Sequence, residues 1–402
     1  MGDIDVYEDS QATAIPGARR IIDHPMPRRA TKRGDERTPL DRDCDVLICG
    51  ASFAGLSVAR ELAGGGADVL VIDRYEIGER QTSACAAPTE WLDNLGLRDS
   101  IRQTFDKLVI HTHKRTYRWR LPWTFSTFDY RTLCALLAAQ GEFEFETAKV
   151  DGRTGTTVHT DRGELKAPLI VDALGWRRVL SNSANIQPPE ARLSRGLEVH
   201  PHTGGDELEI WIDPKYTPAG YSWSFPAAGE LRVGVGSFRP RDHVKEPTVR
   251  LAGDLNVDAV NYQGNWIPHE IRGASEDGVL FVGDSAGHCL PTTAEGIRTA
   301  FYFGLAAGRE LRAVVDGRQS HREAVEHYAR FSDAHAWKFR WMLRVQHLVG
   351  YATGTPVLGG ALRLMDNQRF IDWAFGHYLQ IAPPKFALAP GAPERPTVLT
   401  TS

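Results

Sequence analysis

The 402-residue sequence lacks the features that mark disulfide-rich, zinc-ribbon or membrane-spanning proteins. Its five cysteines lie far apart and form no CxxC pair, which excludes a disulfide framework or a zinc ribbon and favours a reducing compartment. It has no run of about 18 apolar residues, so we expect no membrane-spanning helix. The N-terminus lacks the apolar region of a signal peptide. We therefore expect a cytoplasmic protein.

The sequence also lacks a large excess of either charge. Forty-seven Lys and Arg residues face 51 Asp and Glu residues, which gives a formal net charge of −4. Without a basic field, nucleic acid is not an expected partner. The content of 42% hydrophobic and 24% charged residues is typical of a soluble globular enzyme. The length predicts two or three domains.

The start of the chain has few apolar residues. Residues 1–43 are rich in charge, proline and glycine, and we expect a disordered, solvated tail there. Order should begin near Asp45, where Val46–Cys49 reads as a buried parallel strand. Gly50-Ala-Ser-Phe-Ala-Gly55, a helical segment and a second buried run at Val69–Ile72 follow. This order of strand, tight turn, helix and strand is typical of a βαβ unit.

Later segments suggest that the chain leaves this domain twice and returns. Leu169–Asp172 and Val279–Val282 resemble further strands of the same sheet, whereas the segments between them alternate with period two. We predict an α/β fold: a Rossmann-like FAD-binding domain with an inserted antiparallel-sheet substrate domain and C-terminal helices. The expected FAD-binding domain covers residues 45–104, 128–190 and 278–320. The expected substrate domain covers residues 105–127 and 191–277, and the helical region covers residues 321–402.

The glycine turn after the first strand suits a dinucleotide. Gly50 permits the tight turn, Gly55 permits close packing of helix and sheet, and the helix N-terminus attracts a pyrophosphate. Ser52 stands at the position where the backbone normally approaches the phosphates. Serine is small, and its hydroxyl can donate a hydrogen bond to a phosphate oxygen. Asp73 follows where a carboxylate can accept bonds from a ribose. On its own, the turn is weak evidence, and a mere packing device is the alternative.

A second signal strengthens the first. Asp284 ends the strand at residues 279–282, where a carboxylate can bind a polyol such as a ribityl chain. The helix that follows has its expected N-terminus near residues 294–296. Its positive end could face the pyrimidine edge of a flavin and stabilise the anionic reduced form.

These residues resemble the FAD-dependent geranylgeranyl reductase family, within the broader fold of aromatic hydroxylases. Gly283-Asp-Ser-Ala-Gly-His288 and Asp172-Ala-Leu-Gly175 look like the reductase forms of two strand-end motifs. Tyr221-Ser-Trp-Ser-Phe-Pro226, seven residues and Gly234-Val-Gly236 are similar to the family's substrate-domain signature, Y-x-W-x-F-P-x7-8-G-x-G. This third match is the most specific, and the resemblance covers about residues 45–311.

The resemblance implies FAD as cofactor and an apolar substrate chamber. Tyr221, Trp223 and Phe225 alternate along a strand and should line the chamber, together with Glu295; a plain aromatic sheet core is the alternative. The expected cofactor contacts are Gly50, Ser52, Ala54, Gly55, Asp73, Arg74, Arg131, Gly283, Asp284, Gly296 and Ile297.

Cys85 occupies the place of the family's cysteine beside the isoalloxazine, without the family's flanking glycines. We name it as the candidate catalytic residue, with a buried, small apolar side chain as the equal alternative. His288 is expected to be a neutral, hydrogen-bonded histidine. The HxH pairs His111/His113 and His200/His202 have no evident third ligand, so no metal is expected.

The leading hypothesis is an FAD-dependent reductase of carbon–carbon double bonds in an isoprenoid or prenyl lipid. A flavin monooxygenase or halogenase acting on a small aromatic or polyketide substrate is the alternative, and a non-catalytic isoprenoid carrier is a third. No second nucleotide fingerprint is visible, so NAD(P)H or ferredoxin would be a transient electron donor. The aromatic C-terminal helices suggest peripheral contact with a membrane.

Overall fold

The computed structural model describes residues 38–388 except residues 82, 184, 185, 187 and 189. Most of the expected tail lies outside this range. Its last residues do not fit the expectation, because Arg42–Asp43 form a strand that pairs in parallel with residues 165–166. Leu40 N–H also donates to the Arg162 carbonyl over 2.8 Å. The ordered chain therefore begins before Asp45.

The described strands are numbered in chain order. They are β1 Arg42–Asp43, β2 Val46–Cys49, β3 Val69–Asp73, β4 Ala86–Pro88, β5 Ile101–Thr112, β6 Thr116–Phe128, β7 Glu144–Thr147, β8 Val150–Thr154, β9 Thr157–Thr160, β10 Gly163–Lys166, β11 Leu169–Asp172, β12 Leu193–Val199, β13 Glu209–Ile212, β14 Gly220–Pro226, β15 Leu231–Ser237, β16 Gln263–Pro268, β17 Ser275–Glu276 and β18 Val279–Phe281. The α-helices are α1 Phe53–Leu62, α2 Thr89–Asn94, α3 Tyr130–Ala138, α4 Lys245–Asp254, α5 Ile297–Val315, α6 His321–Ala352, α7 Pro356–Met365 and α8 Gln368–Leu379.

The nucleotide-type sheet has six strands in the order β17-β18-β11-β2-β3-β7. Every pair in it is parallel except β17 with β18. The continuous apolar runs of β2, β11 and β18 are fully buried, as strands covered on both faces should be. This confirms the predicted α/β class and brings the carboxyl ends of β2, β11 and β18 to one edge.

Helices α1 and α5 pack against each other beside that edge because small residues let their backbones approach. A side-chain Cβ at Gly304 would lie 2.6 Å from the Ala54 carbonyl oxygen, and one at Gly308 would lie 2.9 Å from the Val58 carbonyl oxygen. The two chain segments of the predicted cofactor site are thereby brought together, although residue 54 and residue 304 are far apart in sequence.

The second large sheet has eight strands in the order β16-β12-β15-β14-β13-β5-β6-β4. It confirms the predicted alternating strands and the hairpin near residues 105–121, with two differences. The pair β13–β5 is parallel, so the sheet is not wholly antiparallel. The hairpin extends over residues 101–128, and β4 from the expected FAD-binding segment joins its edge.

A third sheet, β1-β10-β9-β8, was not anticipated from the sequence. Its strands are only two to five residues long and half exposed, so their sequence pattern is weak. The predicted helical character after residue 321 is confirmed by α6, α7 and α8. Of the helices described, none is long and apolar enough to cross a membrane.

Candidate active site

The glycine turn between β2 and α1 tolerates no side chain at either end. Gly50 has φ of +114°, and a Cβ there would lie 2.3 Å from the Ala173 carbonyl oxygen. A Cβ at Gly55 would lie 1.9 Å from the Gly50 carbonyl oxygen. The backbones of β2, β11 and α1 therefore approach one another closely at this turn. The turn lies at the N-terminal end of α1, where backbone N–H groups have no partner within the helix.

Polar side chains brace this turn. The Asp73 carboxylate accepts hydrogen bonds from the N–H groups of Ala51, over 2.8 Å, and Tyr75, over 3.1 Å. Burial raises the pKa of Asp73, and these bonds oppose the rise. The Tyr130 hydroxyl donates to Ser52 Oγ over 3.0 Å, which leaves the serine proton free to point elsewhere. Ser52 is thus oriented as a donor at the helix N-terminus.

The second strand end meets the first at Ala54. A Cβ at Gly283 would lie 3.0 Å from the Ala54 side chain, and one at Gly296 would lie 3.5 Å from Asp284 Oδ1. Gly296 immediately precedes Ile297, the first residue of α5. The structure therefore brings Gly50, Ala54, Asp284 and the start of α5 into one cluster.

Asp284 has a carboxylate to which no described residue donates a hydrogen bond. Burial raises the pKa of Asp284 to about 6, while the charge of Arg272 opposes the rise. A half-buried carboxylate without a donor is suited to a polyhydroxyl ligand, since each hydroxyl can supply the missing hydrogen bond. This unpaired acceptor fits the ribityl chain of FAD, whose hydroxyls can donate to it.

Arg74 and Arg131 lie at the outer side of the cluster. Both side chains are exposed, and the Arg74 guanidinium lies over the Tyr75 ring at 4.9 Å from the centroid. The backbone of Arg131 is in close contact with Gly78, where a Cβ would lie 2.9 Å from the arginine Cα. Their role toward a cofactor stays a prediction.

The aromatic residues of β14 project from one face of the eight-stranded sheet. Tyr221, Trp223 and Phe225 are half-buried, while the residues between them are buried on the other side. The Tyr221 hydroxyl donates to the Thr293 carbonyl over 2.5 Å. This bond ties the aromatic face to the segment before α5, so the face lies beside the cofactor cluster.

The glycines of the signature make room for the tryptophan. Gly234 pairs with Trp223 and Gly236 pairs with Tyr221 across β14 and β15. A Cβ at Gly234 would lie 2.2 Å from Trp223 Cζ2, and one at Gly236 would lie 3.3 Å from Trp223 Cζ3. The indole therefore lies directly over β15. This gives a physical reason for the W-x-F-P and G-x-G spacing.

Cys85 is placed in the core. Its side chain is 0% exposed, and burial raises the pKa of the thiol well above its ordinary value. The thiol is therefore protonated and has no exposed surface, so a catalytic role for Cys85 stays a prediction that its burial disfavours. Its φ of +50° also shows why glycines suit this segment.

Glu295 is already engaged by protein side chains. Its carboxylate forms an ion pair with Arg298 at 2.6 Å and accepts a hydrogen bond from the Tyr378 hydroxyl. Arg298 in turn donates to the carbonyls of Leu379 and Ala382. The residue therefore ties the start of α5 to α8, and a direct contact with substrate stays a prediction that this geometry disfavours.

The buried His288 ring stacks on Phe303 at 3.7 Å between centroids. Its Nε2 lies 2.9 Å from Ser332 Oγ, and burial lowers the pKa of His288 well below its ordinary value. It is thus the neutral, hydrogen-bonded histidine that the sequence suggested. It packs in the core with α6.

Sequence reasoning missed a buried charged network on the chamber face. Glu198 and Arg232 are each 3% exposed, and His200 is 8% exposed. Burial by itself would lower the pKa of His200, but hydrogen bonds to Glu198 and Glu230 raise it to about 9. The available signal was the Glu198-Val-His200 alternation, which places two polar groups on one face of a strand.

Comparisons with known proteins agree with this geometry. A family model described as an FAD binding domain matches residues 43–182. Digeranylgeranylglycerophospholipid reductase 3 of Methanosphaera stadtmanae is 25% identical over 334 residues, covering 74% of this chain and 84% of the relative. Digeranylgeranylglycerophospholipid reductase 2 of Methanopyrus kandleri is 24% identical over 345 residues, covering 76% and 86%.

Solved structures share the fold. A geranylgeranyl bacteriochlorophyll reductase-like protein from Thermoplasma acidophilum has a TM-score of 0.72 at 16% identity and covers 86% of this chain and 97% of its own. PqsL, a probable FAD-dependent monooxygenase from Pseudomonas aeruginosa, has a TM-score of 0.61 at 15% identity, with coverages of 78% and 97%. The chain is thus an FAD-dependent oxidoreductase that is similar in sequence to digeranylgeranylglycerophospholipid reductases.

Proposed function

We propose that the protein reduces carbon–carbon double bonds of an isoprenoid or prenyl-lipid substrate. The observation that carries this proposal is the aromatic face of β14, which lies over the glycines Gly234 and Gly236 of β15 and is bonded to the segment before α5. A flat aromatic face beside the cofactor cluster suits an apolar, methyl-branched prenyl chain better than a small polar ring. The names of the curated relatives support the same substrate class.

FAD fits the cluster as follows. The turn from Gly50 to Gly55 would hold the pyrophosphate, and Asp284 would accept bonds from the ribityl hydroxyls. The N-terminus of α5, at Gly296 and Ile297, would face the isoalloxazine edge. Bound FAD, once reduced, supplies a hydride equivalent for alkene reduction. The chain's own residues would bind the cofactor and orient the substrate toward it.

Affinity for such a substrate would come from burial. Each buried CH₂ contributes roughly 0.8 kcal/mol, so a twenty-carbon chain offers on the order of 15 kcal/mol before ordering costs. The affinity would therefore change only gradually with chain length, so the protein would discriminate weakly between chains of similar length. A few polar contacts would fix the head-group end and contribute little to overall affinity.

Alkene reduction also needs a proton and a source of electrons. Because Cys85 is buried, we propose that water supplies the proton. We further propose that NAD(P)H or a ferredoxin reduces the flavin transiently. Stopped-flow bleaching of the purified flavoprotein by each donor separates the two.

The reaction class can be tested by anaerobic flavin spectroscopy. The purified protein is photoreduced without oxygen and mixed with a digeranylgeranyl lipid or with an aromatic acid. A reductase is reoxidised by the prenyl lipid alone, with recovery of absorbance near 450 nm. Reoxidation that requires oxygen, with hydroxylation or halogenation of the aromatic substrate, would instead establish the monooxygenase or halogenase. A protein that purifies without flavin and cannot be loaded with FAD would support the third hypothesis, a non-catalytic isoprenoid carrier.

We also propose that α6, α7 and α8 contact a lipid surface. They carry seven exposed, large apolar side chains: Trp337, Trp341, Leu348, Tyr351, Val357, Phe370 and Trp373. Exposed cationic side chains, among them Arg340, Arg344 and Arg369, accompany them. Tryptophan, tyrosine and cationic residues together are typical of interfacial segments.

Flotation with vesicles tests this contact. The triple variant Trp337→Ser/Trp341→Ser/Trp373→Ser should lose flotation with vesicles of equal parts phosphatidylglycerol and phosphatidylcholine. The control Val249→Ser/Tyr262→Ser removes exposed apolar side chains elsewhere on the surface and should float as the wild type does. Equal flotation of the triple variant and wild type would refute the contact.

A further inference from the structure

Three N–H donors converge on one buried carboxylate. Glu198 is 3% exposed, and its Oε1 accepts from His200 Nε2 over 3.0 Å and from the Gln263 side-chain amide. Its Oε2 accepts from the Trp223 indole N–H over 3.0 Å. A carboxylate buried in this way needs hydrogen-bond donors for both of its oxygens, because an unpaired buried charge is strongly unfavourable. The three donors come from three different strands or strand ends.

The position of these residues follows from the sheet register. Trp223, Gly234, Glu198 and Gln263 lie in one row across β14, β15, β12 and β16, so their side chains share a face. In the neighbouring row, Gly236 pairs with Gly196. A Cβ at Gly196 would lie 3.6 Å from Trp223 Cη2. The indole thus lies flat over a strip of three glycines, with its N–H held by Glu198.

The same face of the sheet is bonded to residues 83–85, the segment that ends in Cys85. The Gln263 amide donates to the Ser83 carbonyl over 3.0 Å as well as to Glu198. Arg232, one row along, donates to the carbonyls of Ala84 and Cys85 over 2.8 and 3.0 Å. These bonds join the aromatic face to residues 83–85 without any contact through the helices.

We propose that Glu198 is a positioning residue of the chamber. Its carboxylate holds the Trp223 indole flat on the glycine strip and, through Gln263, fixes that ring relative to residues 83–85. A prenyl chain would then contact the Trp223 indole in a single fixed orientation and at a fixed distance from the sheet. The activity arm of the following test rests on the proposed function, whereas the spectroscopic arm does not.

Glu198→Gln is the sharpest variant because it keeps shape and removes one acceptor. A glutamine offers a single carbonyl oxygen, so its NH₂ group must face at least one of the N–H donors. Protein labelled with 5-fluorotryptophan reports this directly, with the Trp223 ¹⁹F resonance assigned by its loss in Trp223→Phe. We expect this resonance to move or broaden in Glu198→Gln. Glu209→Gln, on the opposite face of the neighbouring strand, should leave it unchanged.

An unmoved Trp223 resonance in Glu198→Gln would overturn the proposal. If that variant does not fold, Gln263→Met takes its place, since it removes the tie to Ser83 and leaves two donors on the carboxylate. An unmoved resonance there would equally contradict the proposal.

Kinetics supply the second readout. With flavin content unchanged, Glu198→Gln should lower kcat/KM for a prenyl lipid about tenfold, mainly through KM, since the ring contributes to binding the chain. A fall in kcat alone, with KM unchanged, would contradict a positioning role. If the wild type has no activity on prenyl lipids, the proposed function fails, while the ¹⁹F result still decides the role of Glu198.

Discussion

Single residues decide the local geometry of the site. Gly50 adopts a backbone conformation that L side chains rarely adopt, and Ala294 and Cys85 adopt left-handed conformations with a side chain present. The cost of such a conformation is of order 1 kcal/mol or more per residue. Contacts with the surrounding residues must therefore offset this cost and hold the two segments in their observed conformations.

The glycine turn yields a first prediction. Gly50→Ala should destabilise the protein by about 1–3 kcal/mol and lower the flavin content after purification, because the new Cβ would clash with the Ala173 carbonyl. Chemical denaturation and absorbance at 450 nm measure both. Gly253→Ala, in α4 with open space around it, should be neutral or slightly stabilising. Wild-type flavin content and stability in Gly50→Ala would contradict this view of the turn.

His200 yields a prediction about pH. Its pKa is raised to about 9 in the folded protein from an ordinary 6.5, so its stabilising contribution is complete below pH 6.5 and is lost as the pH rises through 9. His200→Gln should therefore lower the free energy of unfolding at pH 6 by on the order of 2–3 kcal/mol. The difference from wild type should shrink at pH 9.5.

Urea denaturation at pH 6, 7.5 and 9.5 provides this measurement. The control is His111→Gln, since His111 also contacts a carboxylate, that of Glu209, but at a more exposed place. We expect it to change stability by less than about 1 kcal/mol at each pH. A pH-independent effect of His200→Gln would show that the imidazolium does not carry the stabilisation.

Among the secondary-structure elements, the contact between α1 and α5 is decisive for the cofactor cluster. The helices cross where Gly304 faces Ala54 and Ser57, and the same Ala54 side chain contacts Gly283. Any separation of the two helices would therefore move the glycine turn away from Asp284. The Tyr221 hydroxyl connects the aromatic strand β14 to this cluster through its bond to the Thr293 carbonyl.

Gly304→Ala tests this helix contact. A Cβ there would lie 2.6 Å from the Ala54 carbonyl oxygen and 2.8 Å from Ser57 Cβ, so the helices must separate. We expect a loss of about 1–3 kcal/mol in stability and weaker FAD binding. Gly376→Ala in α8, where the same atom meets open space, serves as the control. Equal FAD affinity in Gly304→Ala and wild type would contradict the predicted role of the contact.

How far the sequence predicts the elements depends on the strength of their pattern. The buried runs at Val46–Cys49 and Val69–Asp73 and the alternating β14 were predictable because burial imposes a clear period. The third sheet was not, because its strands are short and half exposed and therefore carry a weak sequence pattern. The Glu198 network was missed for another reason. Its members are brought together by sheet register, which a list of residues does not reveal.

For the whole molecule, two sheets and a helical region combine into one candidate active site. The six-stranded sheet presents Gly50 and Asp284, and the eight-stranded sheet presents Trp223. Helix α8 closes the other side through Tyr378, which contacts both Thr293 and Glu295. No single segment of the sequence contains this site, so the sequence revealed its separate motifs but not the side-chain contacts between them.

The central claim, reduction of a prenyl double bond, is tested most directly by the mass of the product. The reduced flavoprotein is incubated without oxygen with a digeranylgeranyl lipid, and the recovered lipid is analysed by mass spectrometry. The account predicts a gain of two hydrogens for each bond that reacts, and incorporation of deuterium from heavy water into that bond. A lipid recovered unchanged, while an aromatic substrate gains an oxygen atom in air, would contradict it.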